Sequence, residues 1–175
     1  MTITVVATHI WPADSDTPLP CHELVLDLGG PVGDRHHGRT MKSDTRQSSV
    51  YERGTEIANL RQVSIVDTSE LAEIATKMGI SGIEPGLIAD NICLEGLPNL
   101  TSLPRMSRLV FDSGAVIMTG GENFPCAIAG AMVGQVHGTR PTAFAKSAMG
   151  LRGITGWVEH PGVIRPGDHA TVVEP

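Results

Sequence analysis

Aromatic side chains make up only 3% of this 175-residue chain: two Trp, one Tyr and three Phe. Single-stranded nucleic acid is gripped by stacking bases on aromatic platforms, and such platforms are scarce here. Basic residues are also few, 13 Lys and Arg against 19 Asp and Glu, for a net charge of −6. They are scattered along the chain, so there is no electrostatic footprint for nucleic acid and no such partner is expected. No apolar run approaches the roughly 20 residues that a membrane-spanning helix needs. The opening Met1-Thr2-Ile3-Thr4-Val5-Val6 has neither the basic region nor the long apolar stretch of a signal peptide, which predicts a cytoplasmic protein without a membrane partner. Only Cys21, Cys93 and Cys126 carry thiols, with no Cys-x-x-Cys spacing. Three thiols cannot all pair within one chain, which argues against a disulfide framework and a thiolate zinc site and leaves at least one thiol free. Phosphate-loop, nucleophile-elbow and His-Glu-x-x-His motifs are absent, and Gly29-Gly30-x-x-Gly33 falls short of a dinucleotide fingerprint.

With so few aromatics, the core must be built from Val, Ile, Leu, Met and Ala. The length suits one domain over residues 1–175. Short period-two segments dominate. Ile3 to Ile10 is β-branched, and Glu23 to Leu28 puts Leu24, Leu26 and Leu28 on one face. Gln62 to Val66 and Asn91 to Leu94 read as further strands. Arg108 to Asp112 and Ala115 to Thr119 flank the turn dipeptide Ser113-Gly114 and predict a hairpin. Ile154 to Glu159 and His169 to Val173 are separated by Pro161-Gly162 and Pro166-Gly167. About seven strands are enough for a mainly β architecture that closes on itself, a barrel or sandwich with a few short helices. One helix is predicted from Asp67 as cap with Glu70 at the third position, through Leu71, Ile74, Ala75 and Met78, to Gly79. A second, Ala127 to about Val136, is rich in small residues that let another backbone approach. Pro141 to Ser147 is a third, shorter one.

Candidate chemistry falls at four places. Cys126, in Gly120-Gly121-Glu122-Asn123-Phe124-Pro125-Cys126, stands where a strand gives way to the second helix. A cysteine on a first helical turn feels unpaired amides and the positive dipole end, which favour thiolate and so make a nucleophile or soft metal ligand. Equally, it is a small buried hydrophobe. Gly33-Asp34-Arg35-His36-His37-Gly38 groups an acid, a guanidinium and two imidazoles between glycines: Arg35 suits a phosphate or carboxylate, and His36 or His37 suits proton movement. Adjacent histidines point apart in an extended chain, which makes them poor joint metal ligands. Arg61 and Asn91 stand at the mouths of two predicted strands, where a barrel rim delivers polar groups to one ligand. Each also has an ordinary reading, a solvated charge for Arg61 and a turn residue for Asn91. The Gly29 to Leu60 segment has no clear element, and such a loop covers a site or, around Arg39 to Arg53, is disordered.

Taken in order, these pieces resemble the MOSC domain, the family named for the C-terminal part of molybdenum cofactor sulfurases. The run is Gly33-Asp34-Arg35-His36-His37-Gly38, Arg61-Gln62-Val63-Ser64-Ile65-Val66-Asp67, Pro85-Gly86-Leu87 through Asn91-Ile92, Leu103-Pro104 through Arg108-Leu109, Pro125-Cys126, and Gly162-Val163-Ile164-Arg165-Pro166-Gly167-Asp168. It covers about residues 20–174, and in length the chain resembles the stand-alone bacterial members. The resemblance implies a closed MOSC-type β-barrel with a few helices. It also implies a molybdenum cofactor (molybdopterin) as ligand and a cysteine, Cys126, that carries sulfur or ligates molybdenum. Arg35 and Arg61 are the candidates for the pterin phosphate, with Asn91 and His36 as further cofactor contacts. No pyridoxal phosphate domain or ferredoxin-like cysteine cluster accompanies it, so a separate protein must donate sulfur or electrons.

Two departures stand out. Ala89-Asp90-Asn91 replaces the usual Gly-Glu-Asn, and Gly120-Gly121-Glu122-Asn123 brings a carboxylate near the thiol, where an inward Glu122 would oppose the thiolate. An outward Glu122, or one paired with an arginine such as Arg152, would leave it alone. These residues fit a sulfurtransferase working through a Cys126 persulfide or a molybdenum-dependent reductase of N-hydroxylated compounds. A non-catalytic molybdopterin carrier and a metal hydrolase built on His36, His37 and Asp34 are the alternatives from other classes.

Overall fold

In the computed structural model, which describes residues 2–175, the elements in chain order are β1 (Ile3–Ile10), β2 (Leu19–Pro20), β3 (Leu24–Asp27), β4 (Gly30–Pro31), β5 (Thr40–Lys42) and β6 (Glu56–Ala58). They continue as β7 (Val63–Asp67), α1 (Thr68–Met78), β8 (Ile92–Glu95), β9 (Arg108–Phe111), β10 (Val116–Glu122), α2 (Ala127–His137), α3 (Pro141–Ser147), β11 (Ile154–His160), β12 (Gly162–Ile164) and β13 (His169–Val173). Seven strands close a barrel in the order β1-β13-β9-β10-β11-β7-β8 and back to β1. Closure removes the sheet edges that the sequence pattern required to be covered. Every neighbouring pair is antiparallel except β7 and β8. A parallel pair needs a crossover, and α1 supplies it.

Alternation along the strands sorts side chains into two apolar cores. Leu24 and Leu26 of β3, Ile65 of β7, Ile92 and Leu94 of β8 and Leu109 of β9 fill the barrel side. Val66 and Cys93, one position over on β7 and β8, face the other way into a second core with Leu71 and Ile74 of α1, Val133 of α2 and Phe144 of α3. Both faces of β7 and β8 are thus covered, which is why these strands read as near-continuous apolar runs. Phe144 is fully buried in the helix layer. Its burial is worth about 1.5–3 kcal/mol, and Phe144→Ala costs about 3–5 kcal/mol because a cavity is left behind.

Asp67 caps α1 by accepting from the Ser69 amide at 2.9 Å, and Gly79 ends it in the left-handed conformation at φ 68°. Glu70 does not complete a capping box; its carboxylate turns into the core and accepts from the Thr101 amide at 2.9 Å and hydroxyl at 2.7 Å. The small residues of α2 do permit close approach: a Cβ at Gly130 would lie 2.6 Å from the Pro141 carbonyl oxygen.

Four further features differ from expectation. The Gly29 to Leu60 segment is ordered: β5 pairs with β6, and between them Asp44 and Gln47 form a capping box around a single 3₁₀ turn, Thr45–Gln47. Short pairings and a polar cap carry no hydrophobic periodicity, so the pattern could not show them. A short strand, β12, lies between the two Pro-Gly turns and pairs with β3. Strand β3 stops at Asp27, so Leu28, expected to share the face of Leu24 and Leu26, is exposed. The last strand before the second helix runs on to Glu122 instead of ending near Thr119, with a bulge between Thr119 and Gly121. Bulges re-aim a strand, and this one carries the chain into Asn123 and Cys126.

Candidate functional site

A cavity of about 430 Å³ opens where the β5-β6 hairpin, the Gly33 to Gly38 turn, the start of β7, the segment before β8 and the N-terminus of α2 meet. That volume suits a small-molecule ligand. Arg35, Lys42, Arg46, Arg61 and Arg152 line it, five of the chain's 13 basic residues, whereas Asp44 is the single acidic residue on its wall. A protein with a net charge of −6 therefore carries a locally positive cavity, the arrangement that concentrates anions.

Arg61 reaches across the entrance of β7 and donates to the Asn123 side-chain oxygen at 3.0 Å and, more weakly, to the Thr155 hydroxyl at 3.4 Å. Arg152 is buried, 6% exposed, and donates to the Ile88 carbonyl at 2.9 Å and the Phe124 carbonyl at 3.3 Å. Its Nε has no partner. Among the described residues neither arginine forms an ion pair. Burial lowers the pKa of both, and the Arg46 charge pushes in the same direction on each; Asp44 beside Arg61 and Asp90 near Arg152 act oppositely. Buried charge is normally answered by an opposite charge. Here the direct hydrogen-bond partners are neutral acceptors, Asp44 acts on Arg61 and Asp90 on Arg152 only through space, and room for a further counter-charge is left to whatever enters the cavity.

The Gly33 to Gly38 turn is organised around Asp34. This buried carboxylate accepts from the Trp11 amide at 2.7 Å, the His36 amide at 2.8 Å, His36 Nδ1 at 3.0 Å and Asn91 Nδ2 at 3.0 Å. Burial pushes its pKa up, but these hydrogen bonds and the His36 ring outweigh burial and hold it below the ordinary value. With Nδ1 on Asp34, His36 keeps Nε2 free on the cavity side. His37, which also lines the cavity, bonds Asp27 at 2.8 Å. The adjacent histidines bond different carboxylates, and among the described residues no three His, Cys, Asp or Glu side chains gather as a metal-binding group. Arg35 stacks on Trp11, 3.9 Å from the ring centroid, and one of its nitrogens donates to the Pro12 and Ser15 carbonyls at 3.0 and 2.6 Å. Asn91 lines the cavity but is occupied: it donates to Asp34 and to the His9 carbonyl, and accepts from the Ser64 amide. Its geometry is that of a clamp between β1, β7 and the turn.

Cys126 is the N-cap of α2, one position ahead of the first helical turn, half-buried and without a side-chain cap hydrogen bond. Burial pushes the Cys93 thiol far up, and it raises Cys21 as well. Neither of those thiols lines the cavity; Cys126 does. Glu122 accepts from the Gly150 amide at 2.8 Å and is not part of the cavity wall. It pairs with no arginine among the described residues, Arg152 included. Ala89, where the family usually shows glycine, holds a left-handed φ of 65°.

All five residues singled out from the sequence, Cys126, Arg35, His36, Arg61 and Asn91, thus meet at one cavity. Sequence reasoning missed the site roles of Arg46, Arg152 and Asn123. Arg46 lies in the segment read as a lid, and its neighbour Asp44, a cap with Gln47 three residues on, was the available signal. Asn123 stood in the stretch before Cys126. Arg152 carries no local signal, because its place depends on β11 lying against β7 and β10.

The chain belongs to the MOSC domain family, whose description matches residues 33–171. It is 42% identical over 153 residues, 86% of this chain and 79% of the other, to a protein of Bacillus subtilis (strain 168) named "Putative metal-sulfur cluster biosynthesis proteins YuaD". The crystal structure of YuaD protein from Bacillus subtilis has a TM-score of 0.93 at 39% identity, over 98% of this chain and 96% of that one. YiiM structures from Geobacillus stearothermophilus and Escherichia coli share the fold, with TM-scores of 0.68 and 0.63 at 14% identity. They are matched over 98% and 100% of this chain and 75% and 71% of theirs. No helix among the described residues is long and apolar enough to cross a membrane.

Proposed function

We propose that this protein binds the molybdenum cofactor through its anionic end in the cavity beside Cys126, and that Cys126 handles sulfur there. The observation that carries this reading is the grouping of one cavity-lining thiol with two buried or half-buried guanidiniums, Arg61 and Arg152, that have no carboxylate partner. The donor set fits such a ligand: guanidiniums for a phosphate, a soft thiolate for a metal or sulfur, and hydrogen-bonding groups of Ser64, Asn123 and Thr155 between them. When bound, the cofactor would supply a redox-active metal and an acceptor for sulfur. Arg61, Arg152 and Arg46 would hold its phosphate, and Arg35 would close the far side from its Trp11 stack. Cys126 would carry sulfane sulfur as a persulfide and present the terminal atom to the cavity, with the three free amides at the start of α2 beside it. The name of the Bacillus subtilis relative, which speaks of metal-sulfur cluster biosynthesis, points to sulfur handling as well.

A second reading, Cys126 as a molybdenum ligand in a reductase of N-hydroxylated compounds, is favoured by His36. With its Nδ1–H on Asp34, the ring has Nε2 as its acceptor, which is how an imidazole that takes up and relays a proton is positioned. Sulfur or electrons would come from outside this chain in either case, electrons from a separate protein. The test is metal and pterin analysis of protein purified from cells able to make the cofactor. Pterin fluorescence with molybdenum near one equivalent, lost in Arg61→Gln, is the expected result. One equivalent of zinc or iron without pterin would replace the proposal with the hydrolase reading.

A further inference from the structure

Cys126 shares its cavity with four arginines and with no second thiol, since Cys21 and Cys93 lie outside the wall. A persulfide on Cys126 therefore has no neighbour in the cavity to form a disulfide with, and a molecule small enough to enter can load it without a second thiol of this chain. Arg152 is more than nine-tenths buried on that wall and keeps an Nε with no partner. Arg61 is held only by the Asn123 amide oxygen and the Thr155 hydroxyl. An entering ligand that offers acceptors to Arg61 and Arg46, with the charge of the buried Arg152 behind them, is a compact oxyanion, because several oxygens on one centre can accept from two guanidiniums at once.

We infer that the sulfur donor for Cys126 is a small anionic sulfane-sulfur compound whose leaving group is an oxyanion, with thiosulfate as its simplest form. This rests on the reading of Cys126 as a sulfur carrier. In the step, the Cys126 thiolate attacks the outer sulfur of thiosulfate, the new Sγ–S bond forms, and the S–S bond of thiosulfate breaks. The bonding electron pair leaves with sulfite. The thiolate and dianion become a persulfide anion and a dianion, so charge balances without a proton or an added oxidant. Arg61, Arg152 and Arg46 offset the repulsion between thiolate and dianion on approach and stabilise sulfite as it departs. Asp44, the wall's single carboxylate, is paired with Arg46 and so adds little repulsion.

The experiment mixes the cofactor-free full chain with thiosulfate and follows sulfite release and the mass of the Cys126 peptide, with inorganic polysulfide as the parallel donor. One sulfite per chain and a Cys126 peptide heavier by one sulfur atom are expected, both absent in Cys126→Ser. With cyanide as acceptor, Arg61→Gln and Arg46→Gln should each raise the KM for thiosulfate about tenfold, the cost of one charge-assisted hydrogen bond, with a smaller change in kcat. Arg46 is exposed, so its variant reports on the anion without disturbing a core. Sulfur loaded on Cys126 from polysulfide but not from thiosulfate overturns this inference and leaves the carrier reading standing. Loading from neither overturns both. A KM within about twofold of wild type in both arginine variants also overturns it.

Discussion

Glu70, deep in the helix layer, meets two donors from Thr101; Arg152, on the cavity wall, meets two backbone carbonyls and leaves its Nε with nothing. Asp34 and Arg61 repeat the contrast, four donors around the carboxylate against two neutral acceptors for the guanidinium. Where the chain is only holding itself together, buried charge is neutralised or richly hydrogen-bonded. Where a ligand is to bind, positive charge stays open. An unpaired buried charge costs stability, and a bound anion returns it, so the cavity is the part of this protein whose stability depends on what is bound.

The largest way to break that comparison is on the settled side. Asp34→Ala strands the Trp11 and His36 amides and the Asn91 amide group, and should cost about 3–5 kcal/mol, measured by urea denaturation. A loss below about 1 kcal/mol would mean that the turn is not held by its carboxylate.

Asp90 sharpens the comparison through pH. Burial pushes its carboxyl up to about 6 against an ordinary 3.8, with the Gly86 amide and the Arg152 charge pulling down. The folded state therefore holds its proton more tightly than the unfolded state, and this group's contribution to stability is lost as pH rises from about 4 to about 6. Asp90→Asn should remove that fall, worth up to about 3 kcal/mol between those limits. Parallel stability curves for the two proteins from pH 4 to 7 would show Asp90 to be ionised throughout.

On the open side, inorganic phosphate at ten times its dissociation constant should stabilise the wild type by about 1.4 kcal/mol. Arg61→Gln should abolish most of that gain while altering the unliganded melting temperature little. A smaller effect is expected at Ala89, whose left-handed backbone strains a Cβ. Ala89→Gly should stabilise by about 0.5–1 kcal/mol once the added freedom of the unfolded chain is subtracted.

Much of the fold could be read before any coordinates, and for a physical reason. Strands β1, β7, β8, β9, β11 and β13 carry apolar alternation or β-branched runs that survive any tertiary context, and α1 and α3 carry end signals. The hairpin of β5 and β6 and the short β12 are held by backbone pairing to partners distant in sequence, which leaves no periodic mark. The site was half legible. Cys126, Arg61 and the Asp34-His36 turn stand out because their residue types are chemically pointed. Arg152 and Arg46 do not, since their place on the cavity wall is set by elements distant in sequence, and for Arg152 the lack of an ion-pair partner is a property of three dimensions. Asn91 was marked as a ligand contact; it lines the cavity and its amide also clamps β1, β7 and the turn, because a strand-mouth amide is equally able to bind backbone.

The account's central claim is that Cys126 and the unpaired arginines form one anion-receiving cavity, and the rate of Cys126 alkylation tests it most directly. With limiting iodoacetamide near neutral pH, mass spectrometry should find Cys126 labelled first, Cys93 inert, and the Cys126 rate reduced several-fold by phosphate in wild type but not in Arg61→Gln. Glu122→Gln should leave that rate within about twofold, since Glu122 binds the Gly150 amide instead of facing the thiol. Labelling of Cys21 with Cys126 untouched, or a Cys126 rate indifferent to phosphate, would contradict the claim.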